Sequence, residues 1–240
     1  MRHDQTTRLM SKSPVAVARL AMEIGRAALP AYSSKYSPHI YILPQLFACL
    51  VLRQFFKTDY RGMISLLDDF QELRQVLKLE QIPHSSTLCY AQQRLIRARL
   101  FYALQRQIWQ TAERLGLVED HPTGIVDATG LEARHVSRYY VWRTGYRHFH
   151  RRRWPKLSLV GDEHSHLIAG AWVSWGPSQD SPQFAPVIRQ AARNVHWDRV
   201  IADTAYDGEH NHVLCREQLG IRSTIIPPER GIVFTKLGIL

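Results

Sequence analysis

Two aspartates occupy matching positions in this 240-residue chain. Asp127 lies near the end of Gly124-Ile125-Val126-Asp127-Ala128-Thr129, and Asp203 ends the apolar part of Val200-Ile201-Ala202-Asp203-Thr204-Ala205-Tyr206-Asp207. Both runs read as short β-strands. A carboxylate at a strand's end is held by a rigid element, as divalent-metal chemistry requires. If the two strands are neighbours, the carboxylates converge and repel unless a hard cation lies between them. Oxygen donors of this kind suit magnesium or manganese. Two solvated strand-end aspartates would give the same spacing, and the spacing alone does not separate the two readings.

The second feature is electrostatic. The chain carries 31 Lys+Arg against 21 Asp+Glu, a formal charge of +10, which favours a polyanionic partner. Between Ala133 and Gly161 stand eight basic residues and no acid. Arg134, Arg138, Arg143, Arg147, Arg151, Arg152, Arg153 and Lys156 interleave there with Tyr139, Tyr140, Trp142, Tyr146, Phe149 and Trp154. Arginines neutralise phosphates and release counterions, while aromatic rings stack on unpaired bases. DNA contacts are therefore expected at Arg143, Arg147, Arg151, Arg152, Arg153, Lys156, Trp142 and Trp154, with Arg151–Arg153 as the phosphate clamp. The alternative is a solvated, charged hairpin.

These residues need elements to hold them. Residues 1–39 show no sustained pattern and are expected to be an extension. From Pro44, Leu46, Phe47, Leu50, Val51 and Phe55 recur at helical spacing. A second helix is expected over Tyr60–Leu79, and a long third one is capped by Ser85 or Ser86 and stopped by Gly116. After Pro122 the pattern becomes strand-like. Strands are expected at Thr123–Ala128, Lys156–Val160, Leu167–Trp175, Arg199–Ala202 and Ile221–Ile226, with helices at Phe184–Arg193 and Glu209–Leu219. The fold class is thus α+β, a helical domain followed by a mixed sheet flanked by helices.

Other classes are excluded or set aside. With 45% hydrophobic and 22% charged residues the chain is not disordered. No run of about 18 apolar residues exists to span a membrane, and no secretory signal is visible. Cys49, Cys89 and Cys215 are scattered and odd in number, which suits small buried side chains in a reducing cytosol. The pairs His148/His150, His164/His166 and His210/His212 lack the further ligands of a zinc site and read as solvated turn residues. Asp180 is read either as a cap of the following helix, the preferred reading, or as lying near the metal site, and Asp207 is read as a helix cap. Pro83-His84-Ser85-Ser86-Thr87-Leu88 suits either a helix-turn-helix, with Gln92, Gln93, Arg94 and Arg97 facing DNA, or an ordinary helical hairpin.

Three blocks in order carry a family resemblance: Val126-Asp127-Ala128-Thr129-Gly130-Leu131, Gly176-Pro177-Ser178-Gln179-Asp180-Ser181-Pro182, and Ala202-Asp203-Thr204-Ala205-Tyr206-Asp207. With Ile225-Ile226-Pro227-Pro228 they resemble the DDE transposases of bacterial insertion sequences, over about residues 40–230. The resemblance implies an RNase H-like catalytic domain at 121–231, a helical and DNA-binding domain at 40–120, and an N-terminal extension at 1–39. It also implies that Asp127 and Asp203 are catalytic carboxylates binding Mg2+ or Mn2+. The partners it implies are transposon-end and target DNA, with a homodimer on paired ends, in the cytoplasm at the nucleoid. In that family a glutamate on a later helix completes the triad. Here residues 232–240 depart from the pattern and supply no matching glutamate, and Glu229 lies in a loop. The expectation is a domain incomplete at its C-terminus, acting as an impaired transposase or as an inactive DNA-binding fragment.

Overall fold

The computed structural model describes residues 12–36, 39–131 and 154–225. The chain divides into two compact units, Met1–Thr111 and Ala112–Leu240.

The first unit is helical. Helix α1 (Pro14–Ala28) starts at Ser13, whose Oγ accepts from the Ala16 amide at 3.3 Å, with proline in the first turn. The sequence reading passed over this helix because three of its five buried positions, Ala18, Ala21 and Gly25, are small, leaving only Met22 and Ile24 as large apolar signals. Helix α2 (Leu43–Phe55) follows. The single helix expected over Tyr60–Leu79 is two, α3 (Tyr60–Asp69) and α4 (Gln71–Leu77), because Phe70 takes a non-helical ψ of 88°. Arg74 Nη1 satisfies the carbonyl of Leu67 freed by the break, at 3.0 Å. The long third helix is likewise two, α5 (Ser85–Leu95) and α6 (Ala98–Arg114). Its cap is His84, whose Nδ1 accepts from the Ser86 amide at 3.2 Å, not Ser85 or Ser86. Gly116 does close the segment, at φ 66°.

Leu52, Met63, Leu67, Leu73, Leu77 and Leu88 form the core of this unit. Gln45 is buried there, and its Nε2 donates to the carbonyls of Leu77 and Lys78 that α4 leaves open at its C-terminus. Cys49 is wholly buried, which pushes its thiol up to about 12, and burial raises Cys215 to about 11. A thiol with so little thiolate reacts slowly. Ellman's reagent at pH 8 is therefore expected to titrate one thiol of the native protein, the half-buried Cys89, and all three in denaturant. Rapid modification of a second thiol in the folded chain would contradict the burial.

The second unit is a five-stranded sheet. Its strands are β1 (Thr123–Gly130), β2 (Trp154–Asp162), β3 (Ile168–Gly176), β4 (Arg199–Ala202) and β5 (Arg222–Ile225), in spatial order β3-β2-β1-β4-β5. β2 runs antiparallel to both β1 and β3, whereas β4 runs parallel to both β1 and β5. Helix α7 (Ser181–Ala191) links β3 to β4, and a short 3-10 turn, Thr204–Tyr206, follows β4. Helix α8 (Glu209–Val213) then runs into a wider π-type turn, Leu214–Leu219, which Gly220 ends at φ 67°.

Helix α7 packs on β2 and β3 through Phe184, Val187 and Ile188. Gly170 permits the close approach, since a Cβ there would lie 2.6 Å from the Val187 carbonyl oxygen. Val126, Val160 and Ala202 share this covered face. Ile125, Asp127, Leu159 and Val173 point to the other face, where Ile125 and Val173 are 44% and 64% exposed. A mixed sheet in this order, with helices outside it, is the RNase H-like arrangement within an α+β protein.

Candidate active site

The β1–β4 register builds the site. Val126 lies opposite Ala202 in a parallel ladder, and the next residue on each side is an aspartate. Side chains alternate along a strand, so Asp127 leaves by the face opposite Val126. The backbone is still extended at Asp203 (φ −78°, ψ 178°), which continues the alternation beyond Ala202. Each carboxylate is then pinned locally. Asp127 Oδ1 accepts from the Ala128 amide at 2.7 Å, and Asp203 Oδ1 caps the 3-10 turn by accepting from the Ala205 amide at 3.1 Å. Among the described residues no hydrogen bond engages Oδ2 of either.

Behind this pair lies a group that sequence reasoning missed. Tyr206, three residues beyond Asp203, is 1% exposed, and its ring packs 5.8 Å from that of Phe184 in α7. Burial raises its phenol far above the ordinary tyrosine range, and the Asp180 carboxylate raises it further. The Ser158 hydroxyl works against that rise, while Asp127 and Asp203 add to it. The phenol therefore sits in a field set by three carboxylates. Asn211, fully buried in α8, donates through Nδ2 to the Tyr206 carbonyl at 2.8 Å and to Ser181 Oγ at 3.1 Å. It ties the turn that follows Asp203 to the start of α7. No spacing rule marks Asn211 in advance; the Asp203–Tyr206 interval was legible only once the 3-10 turn was known.

Several sequence expectations change here. Asp180 stands at the N-cap of α7 without capping it, and its carboxylate instead pairs with Lys156. Lys156 is consequently no free phosphate contact, because it is largely buried and also donates to the Ser178 carbonyl at 2.8 Å. Asp207 does not cap α8 either; Gly208 holds that position, and Asp207 Oδ1 lies 3.4 Å from His212 Nε2. Trp154 begins β2, where it abuts Gly130 and Gly176 and stays partly exposed. Arg143, Arg147, Arg151, Arg152, Arg153 and Trp142 lie outside the described residues, as do Glu229 and residues 232–240. In the helical unit, Gln92 accepts from the Tyr60 hydroxyl at 2.9 Å, while Gln93, Arg94 and Arg97 are exposed.

His148 and His150 lie outside the described residues, while members of the other two pairs make separate contacts. His164 faces Glu119 at 3.4 Å, His210 meets Ser181 Oγ at 3.2 Å, and His212 bonds Ser223 Oγ at 2.8 Å. Among the described residues no cluster of three or more His, Cys, Asp or Glu side chains is placed to hold a metal ion. The Asp127/Asp203 pair alone still offers two hard oxygen donors from neighbouring strands, which fits part of a divalent-cation site.

The RNase H-like mixed sheet carries Asp127 within β1 and Asp203 just beyond β4, two acids on neighbouring strands. Residues 119–234, just under half of the chain, match the family described as the transposase DDE domain, and this segment is similar to that family. Members of that family generally use a divalent metal. A solved structure described as a pre-cleavage Mos1 transpososome aligns with 90% of this chain and 78% of its own at 10% identity. Its TM-score is 0.25, and that likeness carries no argument. Among the described residues no helix is long and apolar enough to cross a membrane.

Proposed function

We propose that the chain is an insertion-sequence transposase that binds transposon-end DNA and cuts and joins it at Asp127 and Asp203. The observation that carries this reading is the Val126–Ala202 register, which sets Asp127 within β1 beside Asp203 just beyond the end of β4. In this reading the carboxylates of Asp127 and Asp203 would hold Mg2+ or Mn2+. A divalent ion bound there polarises a phosphoryl oxygen and lowers the pKa of a bound water. The chain's own part is positional: the Ala128 and Ala205 amides fix each carboxylate, and Asn211 fixes the turn behind Asp203. Phosphate contact falls to Arg143, Arg147 and Arg151–Arg153, and base stacking to Trp142 and Trp154. Two copies act on paired ends, in the bacterial cytoplasm at the nucleoid.

A second reading, a protein that holds DNA without cutting it, is favoured by the want of a three-ligand cluster among the described residues. One experiment separates them. Purified full-length chain is incubated with supercoiled plasmid in Mg2+, Mn2+ or EDTA, beside a gel-shift series at rising salt. Nicking that EDTA abolishes supports the enzyme. Binding that weakens steeply with salt, with no nicking in either metal, supports the holder. Absence of both sinks the DNA reading.

A further inference from the structure

The Lys156–Asp180 pair is not explained by folding the sheet alone. Lys156 reaches from β2 to the β3–α7 junction, where it meets both Asp180 and the Ser178 carbonyl. Its register partner on β1 is Gly130, three residues beyond Asp127. Asp180 immediately precedes Ser181, which Asn211 joins to the Tyr206 carbonyl, and Tyr206 is three residues beyond Asp203. The pair is thus linked to both aspartate-bearing segments through one or two residues. Burial raises the Tyr206 phenol, and the charges of Asp180, Asp127 and Asp203 add to that rise. Lys156, Asp180 and Tyr206 are largely shielded from water, which strengthens the interactions among them, while Asp127 and Asp203 are exposed.

We propose that Lys156 and Asp180 are positioning residues that set the charge presented at the Asp127/Asp203 edge, Lys156 neutralising an Asp180 carboxylate held against the buried Tyr206. This rests on reading that edge as a cation site. Removing the ammonium leaves one more uncompensated negative charge beside the site and strengthens cation binding. Removing the Asp180 charge leaves an ammonium and weakens it. The two substitutions therefore shift affinity in opposite directions, whereas a purely structural pair would weaken binding whichever partner is lost.

The test is Mn2+ binding to the full-length protein, followed by the electron paramagnetic resonance of the free ion, with circular dichroism melts as the fold control. Lys156→Met is expected to tighten Mn2+ by roughly tenfold and Asp180→Asn to weaken it by roughly tenfold. The double variant should return near the parent, and Lys156→Arg should match the parent. Parent binding must also fall in Asp127→Asn. If parent binding is absent or indifferent to Asp127→Asn, the cation reading of the edge fails, and this proposal with it. If parent binding depends on Asp127 but both single variants weaken it, or neither moves it, only the proposal is overturned. Should Lys156→Met fail to fold, Lys156→Gln carries the same sign, and Asp180→Asn against Asp180→Glu gives the opposing arm.

Discussion

Asp203→Asn is expected to lower metal-dependent plasmid nicking by about 10³-fold, equivalent to roughly 4 kcal/mol of transition-state stabilisation, and Asp127→Asn to do the same. The substitution is nearly isosteric. An asparagine oxygen at 203 can still accept from the Ala205 amide, so the 3-10 turn behind it persists. What disappears is the negative charge and the hard donor facing a cation. Stability should move the other way. Two carboxylates on adjoining strand ends repel in the metal-free protein, so either asparagine variant should melt at or slightly above the parent temperature in EDTA. Nicking assays beside thermal melts decide it. A variant with full nicking activity removes that aspartate from the chemistry, and one that loses activity together with its fold says nothing specific about charge.

The second large effect is on stability. Phe184→Ala should destabilise the sheet unit by about 3–5 kcal/mol, the range for truncating a buried phenylalanine. Phe184 is fully buried in α7, and its ring meets Tyr206. Truncation opens a cavity beneath the turn that carries Asp203, and the neighbouring backbone is tied by Asn211 and cannot collapse freely. Phe184→Leu, which keeps most of the volume, should cost less than half as much. Denaturant or thermal unfolding of both variants measures the difference. A loss below about 1 kcal/mol for the alanine variant would show that the site's floor is not packed as described.

Much of the second unit was legible in the sequence because its strands are short β-branched runs between strong breakers. Arg199–Ala202 is bounded as expected, and β1, β2 and β3 each lie within two residues of their expected limits. The candidate aspartates were visible for the same reason, since each interrupts an apolar run with a charge. The helical unit was read less well. Breaks at Phe70 and at Ile96–Arg97 carry neither proline nor glycine, so only tertiary packing sets them. The charge of Lys156 was legible, but its partner was not. Asp180 lies twenty-four positions away, and only the β2–β3 hairpin brings it near.

The parallel pairing of β1 with β4 also dictates when a site can exist. Asp127 and Asp203 are seventy-six positions apart, and the described residues between them include the β2–β3 hairpin and the α7 crossover. Loop-closure entropy grows only slowly with length, so segments inserted between β1 and β2 or between β3 and α7 would cost the pairing little. The same non-local ladder makes assembly of the acidic pair a late event in folding, after the β2–β3 hairpin and α7 have formed. A nascent or partly unfolded chain therefore carries its basic residues before it carries a paired acidic site. It would meet polyanions before it could act on them.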